Sequence, residues 1–294
     1  MPNLPVPDGE GIYSFADDLE TAHRHWMASL ASAASTEPVM EVKAPATGER
    51  YRIEERRPAG CPVVVIEPHH DDFVLSASGR FLAHPRPLIV ITVFTRSRSV
   101  HPSLEAAYPT VEAVSSVREE EAAVALGPFG ASRILLGHRD ASPPYRPFDD
   151  QRAQAITAEL RTILADHPGA ELLAPAGVTR HPDHLLVHEA ARALGCRWFW
   201  EDVAFWPTYA LAGCDRVLFE QRTAKALVPE LTDITGVVLD KLTLLRLHGS
   251  QMHPSRKMYR PLRHAWTVAA DLLDRPPTGA AQYAERFYRL EDAA

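Results

Sequence analysis

The period of the apolar positions changes along this chain. From Tyr13 to Ala34 they recur at Phe15, Leu19, His23, Trp26 and Leu30, three to four apart, which predicts a helix. From Met40 to Arg56 apolar and polar residues alternate on either side of Pro45-Ala46-Thr47-Gly48, which predicts a β-hairpin, expected at a sheet edge. The centre then switches to unbroken β-branched runs. Cys61–Glu67, Pro87–Phe94, Ser132–His138 and Glu171–Ala176 read as strands covered on both faces, with Cys196–Phe205 as a fifth. Helical patterns fill the gaps at Val74–Ala83, Val111–Leu126, Asp149–Asp166 and His184–Leu194; the second and the last stop at Gly127 and Gly195.

Strands alternating with helices of this length imply right-handed crossovers and a parallel sheet. The expected fold class is therefore α/β, a Rossmann-like three-layer sandwich with a mainly parallel, twisted sheet. No linker divides the chain, so residues 1–294 are expected to form one domain. Residues 1–60 would add the N-terminal helix and β-hairpin, 61–205 the catalytic core, and 206–294 a C-terminal elaboration with a helix at Val237–His248.

Composition narrows the function. A net charge of −7 lacks the basic footprint of a nucleic-acid binder, so no nucleic-acid partner is expected. The three cysteines Cys61, Cys196 and Cys214 are far apart, which argues against a disulfide framework or a thiolate zinc site. No apolar run could span a bilayer, and the first residues lack a signal-peptide pattern. The expectation is a cytoplasmic protein with no membrane partner; whether it forms a homo-oligomer stays open.

In open parallel sheets, sites gather beyond the carboxyl ends of the strands. Two such places carry ionisable clusters. Pro68-His69-His70-Asp71-Asp72 follows the first buried strand, and His181-Pro182-Asp183-His184 follows the fourth, with Pro182 placed to open a helix. Either cluster alone suits a solvated turn. Together they suggest a cation site, because adjacent carboxylates repel unless a positive charge lies between them, and His with Asp suits zinc. His188, one turn after His184, could mimic an H-E-x-x-H pair, but the glutamate position of that motif is empty and a further ligand would close the open position catalysis needs, so a structural role or one supporting the ligands from behind is favoured.

Both clusters, in this order, resemble the PIG-L/LmbE-like zinc-dependent N-deacetylases, whose motifs are (A/P)-H-P-D-D-E and H-x-D-H. Weaker likenesses span most of the chain: Arg118-x-x-Glu121 with Leu126-Gly127, Ile134 to Asp140, Lys241 with His248-Gly249-Ser250-Gln251, and Glu285-Arg286-Phe287. The resemblance implies one zinc held by His69, Asp72 and His184. Asp71 would be general base, His181 would polarise the carbonyl and act as acid, and Asp183 would orient His181. His70 stands where the family often has Pro, and Phe73 where it often has Glu.

Two imidazoles and one carboxylate leave zinc an open position, where bound water can lose its proton near neutrality. Asp72 is taken up by the metal, which frees Asp71 as base. The expected reaction is zinc-water attack that removes an N-acyl group, N-acetyl by the family's habit, from a small-molecule amino sugar, glycoconjugate or antibiotic intermediate. His70, Arg96, Arg118, Asp140 and Gln251 are candidate substrate contacts, with Arg98 beside them. Arg118 and Glu121 could instead simply pair along a helix. Trp198, Trp200, Phe205 and Trp206 could stack on a sugar, although core packing is the commoner role for such a run. The alternatives are an amidase of a thiol-sugar conjugate, a metal-dependent phosphoesterase, and a sugar-binding protein without catalysis.

Overall fold

The β-branched run at Val63–Glu67 forms a strand buried along its whole length. Its alternate residues enter two different cores: Val63 and Val65 pack on one side of the sheet, Val64 and Ile66 on the other. Each such side chain contributes about 1.5–3 kcal/mol when fully buried. This is why the segment shows no polar alternation. The computed structural model describes residues 12–32, 38–142, 149–177, 181–203, 227–252, 259–272 and 283–291.

In chain order the elements are α1 (Ile12–Ser32), β1 (Val39–Lys43), β2 (Arg50–Glu54), β3 (Val63–Glu67), α2 (Asp72–Ser76), α3 (Ser78–Ala83), β4 (Leu88–Arg96), α4 (Val111–Leu126) and β5 (Ser132–Arg139). There follow α5 (Asp150–Leu164), β6 (Glu171–Pro175), α6 (Pro182–Ala193), β7 (Trp198–Trp200), β8 (Leu227–Asp233), α7 (Val238–Leu247), α8 (Gly249–Met252), α9 (Arg260–Leu272) and β9 (Ala284–Leu290). The described strands of the main sheet number seven, in the order β5-β4-β3-β6-β7-β9-β8. The first five are mutually parallel, and β9 runs antiparallel to both its neighbours. Helices cover both faces. Ile156 and Leu160 of α5 with Val187 and Ala190 of α6 fill one core, and residues of α2, α3, α4 and α7 fill the other. The chain is thus mixed α/β with a mostly parallel central sheet, as its periodicity implies.

Three expectations need correction. The hairpin β1–β2 is not at the edge of the main sheet; it is a separate two-stranded sheet whose Val42, Tyr51 and Ile53 are buried in the core shared with α1 and α7. The fifth strand is only Trp198–Trp200, and the sheet is extended instead by β8 and β9 from the C-terminal third. The helix expected over Val74–Ala83 starts earlier and is broken into α2 and α3 at Ala77, whose φ of −134° leaves the helical region. Phe205, Trp206 and Cys214 lie outside the described residues.

β3 and β6 are adjacent, and the sheet order reverses between them: β4 and β5 lie beyond β3, β7 beyond β6. That is the topological switch point of an open parallel sheet. The two ionisable clusters follow these two strands.

Candidate active site

The two clusters meet at this switch point. Asp71 occupies the position before α2, and Asp72 is its first residue. His181 occupies the position before α6, with Pro182 in the first turn, as the sequence pattern predicts. Gly177 allows the second loop to leave β6: its φ is 63°, and a Cβ there would lie 2.6 Å from the Cβ of His188. His188 itself bonds the Pro175 carbonyl through Nδ1 at 3.0 Å and is fully buried, which is a structural role.

His69, Asp72 and His184 each offer a donor atom, and these atoms lie within 4.8 Å of one another. The Asp72 Oδ2 atom is the hub. It accepts the His69 backbone N–H at 2.8 Å, lies 3.1 Å from His69 Nδ1 and 3.4 Å from His184 Nε2. His184 Nδ1 meets Asp202 Oδ1 at 2.9 Å, an orientation that leaves Nε2 facing the hub. A second group of donor atoms, from His69, His181 and Asp183, is equally compact. Asp183 Oδ2 lies 3.0 Å from His69 Nε2 and accepts the Ala141 N–H at 2.8 Å. It bears on His181, the ring it was expected to orient, through its charge.

The electrostatics show a demand for positive charge. Burial disfavours a proton on His69, yet hydrogen bonds to Asp183 and Asp72 outweigh it and push its pKa up to about 10. For Asp72, burial is outweighed by the charge of His184 and the bonds from His69, which hold the carboxyl well below its usual range. His184 is raised by Asp72 and Asp202 against its own burial. His181 shows the opposite: burial and the positive charges of His69 and His184 lower it to about 3. A divalent cation among His69, Asp72 and His184 would meet the same demand while leaving the imidazoles neutral. Two nitrogens and a carboxylate oxygen, with a carboxylate fixing one ring from behind, are a donor set that fits zinc.

Asp71, just before α2, lines the same cavity as these residues, and Arg118 of α4 holds its Oδ1 at 2.9 Å. The same guanidinium donates to Ser97 Oγ at 2.8 Å, and Ser97 donates to Asp140. A cavity of about 590 Å³ opens above, lined by His69, Asp71, Asp72, His181 and His184 together with Arg98, Arg118, Asp140, Gln251 and Arg260.

The other candidates divide. Arg118, Asp140 and Gln251 line the cavity; Arg96 does not, and its neighbour-but-one Arg98 does. His70 does not reach the cavity either. Its ring is 2% exposed, with neither nitrogen hydrogen-bonded, and burial and Arg118 push its pKa down to about 2. Arg118 and Glu121 do not pair with each other as i,i+3 neighbours: Arg118 takes Asp71, and Glu121 accepts both the N–H and the hydroxyl of Ser250 at 2.6 Å. Trp200 is fully buried and Trp198 packs beneath Arg80, so neither is a sugar platform. Sequence reasoning missed Asp202 and Glu67. Glu67 closes β3 by accepting the Thr92 hydroxyl at 2.7 Å and the Phe73 N–H at 3.1 Å; burial raises it to about 8. Both acids stand at or just past a strand's carboxyl end, the same signal that exposed the two clusters.

The chain is similar to known proteins. A family model described as PIG-L, GlcNAc-PI de-N-acetylase, matches residues 64–194. The 2'-N-acetylparomamine deacetylase of Streptomyces fradiae is 33% identical over 223 residues, covering 69% of this chain and 77% of that protein. Among solved structures, a pseudoaglycone deacetylase of an antimicrobial reagent superposes with a TM-score of 0.59 at 24% identity, over 79% of this chain and 98% of that one. The zinc-inhibited form of a teicoplanin deacetylase superposes with a TM-score of 0.55 at 17% identity, over 79% of this chain and 100% of that one.

Proposed function

Because this chain belongs to the PIG-L (GlcNAc-PI de-N-acetylase) family of deacetylases, we propose that it is a zinc-dependent hydrolase that removes an N-acetyl group from an amino sugar within an antibiotic intermediate. One observation carries the proposal: donor atoms of His69, Asp72 and His184 lie within 4.8 Å of one another, beside Asp71 and at the floor of the cavity. The amino-sugar substrate is supported by the Streptomyces relative, whose name specifies such a compound.

His69, Asp72 and His184 would hold one zinc ion. When bound, zinc supplies Lewis acidity, which activates a water molecule and the amide carbonyl. Asp71 would accept the water's proton; its Oδ1 is anchored by Arg118, and that anchor keeps the carboxylate aimed into the cavity. His181 would face the developing oxyanion from the α6 side. It would pass a proton to the leaving amine, balancing the one Asp71 takes from water, and the Asp183 carboxylate favours its charged form. The bond broken is the amide C–N, and the products are the free amine and acetate.

The test is a panel of N-acetylated amino sugars and aminoglycoside intermediates, scored for released acetate with zinc content measured in parallel. Turnover should track zinc, vanish on chelation and return on its readdition. Undiminished turnover by the metal-free protein would remove the proposal.

A further inference from the structure

The break between α2 and α3 is built around a buried ion pair. In an uninterrupted helix the Gly79 N–H would bond the Leu75 carbonyl. Here the Leu75 carbonyl accepts from Lys241 Nζ at 2.9 Å, and the Gly79 N–H goes to Glu285 Oε1 at 2.9 Å. Lys241 donates to that same Oε1, so one backbone bond is replaced by a carbonyl–ammonium–carboxylate–amide chain. Glu285 Oε2 also accepts the Arg80 N–H at 2.8 Å. Both side chains are buried: Lys241 is 1% and Glu285 5% exposed. Gly79 makes room for the carboxylate, since a Cβ there would sit 2.7 Å from Oε1.

The far end of this chain of bonds is the active site. The Leu75 N–H bonds the Asp71 carbonyl at 2.9 Å, Asp72 opens the same short helix, and Leu75 itself lines the cavity. Lys241 from α7 therefore holds the carboxyl end of α2, Glu285 from β9 holds Lys241 and the opening of α3, and Glu67 and Arg118 hold Phe73 and Asp71 at the other end. A lone buried charge would be costly, whereas this pair satisfies the open helix ends on both sides of it.

We propose that Lys241 and Glu285 are positioning residues for the hydrolytic reaction: their ion pair, set into the break between α2 and α3, anchors the carboxyl end of the one-turn helix α2 and so places Asp71 and Asp72 at its other end. The inference rests on the proposed function for its zinc site as well as its activity; zinc affinity and turnover are read separately.

The decisive variants are Glu285→Gln and Gly79→Ala, which disturb the same carboxylate from two directions. Each is compared with Ile53→Ala, a core truncation in the hairpin remote from the site, at matched loss of melting temperature. Expected for both site variants is zinc binding at least tenfold weaker than in wild type, and, when zinc-saturated, kcat lowered tenfold or more with KM within twofold. The double variant should be no worse than the poorer single one, and Ile53→Ala should retain wild-type zinc affinity. Should Glu285→Gln fail to fold, Glu285→Asp, which keeps the charge and shortens its reach, is read the same way. Zinc affinity and kcat within twofold of wild type, despite the stability loss, overturn the proposal. If wild type itself hydrolyses no amide, the functional reading fails, and the zinc affinities still decide the positioning role.

Discussion

At the scale of single residues, the site is a set of carboxylates whose charges must be answered. Asp71 is answered by Arg118, Asp72 by two imidazoles, and Asp183 by His69 and a backbone N–H. Asp202 has a quieter part. Its bond to His184 Nδ1 fixes both the tilt of the ring and which nitrogen is left to face Asp72. Such outer carboxylates typically change metal affinity by 10–100-fold when lost. Asp202→Asn should therefore weaken zinc binding by about that factor, read by chelator competition, with the far-ultraviolet circular dichroism unchanged; equal affinity would deny it the role. The likenesses noted in sequence also resolve at this scale. Arg118 meets Asp71, Glu121 meets Ser250, and Lys241 meets Glu285. None of these pairings is visible from spacing, because each joins residues from separate elements.

Between elements, docking depends on a few polar bonds inside apolar contacts. His23 of α1 lies against Thr243 of α7, with its Nε2 2.9 Å from the hydroxyl. That hydroxyl donates to the Leu239 carbonyl at 3.1 Å, so the ring must supply the proton and is the neutral Nε2–H form. Burial, with help from Arg246, lowers the His23 pKa from 6.5 to about 3. Above pH 6.5 the ring is neutral in both the folded and the open chain and costs nothing. Below it the open chain binds a proton that the fold refuses, so stability is lost as pH falls towards 3. At pH 5 this one ring should cost about 2 kcal/mol relative to pH 7. Denaturant titrations of wild type and His23→Gln at pH 7 and pH 5 check this: the variant should lose less stability over the interval, and identical losses would remove His23 as the source. The hairpin teaches a related lesson. Its alternation correctly marks two strands, but alternation only says that one face is buried. Here the covering partner is the α1–α7 core rather than a neighbouring strand.

For the molecule as a whole, the switch point between β3 and β6 brings residues more than a hundred positions apart onto one centre. The donor atoms are held by protein hydrogen bonds of their own, so the fold does not wait on the metal. Chelated protein should keep its secondary structure and melt cooperatively. Zinc at a hundredfold excess over its dissociation constant should add about 2.7 kcal/mol, raising the melting temperature by roughly 4–5 °C. A melting temperature indifferent to zinc would mean that no ion binds the folded state. Among the described residues no helix is long and apolar enough to cross a membrane.

The sequence by itself determined the α/β class, the parallel strands, the loops that bear the ionisable clusters and the family likeness. These follow from local periodicity and from chemistry written in short contiguous motifs, which need no knowledge of distant neighbours. Tertiary structure alone decided that β8 and β9 extend the sheet, that the hairpin stands apart from it, that α2 breaks at Ala77 and that His70 turns into the core. It also decided which acid serves which base: Asp202 for His184, Glu285 for Lys241. Those choices depend on charges and packing surfaces that meet only after the chain has folded, and a burial cost is not defined until the neighbours that impose it are in place.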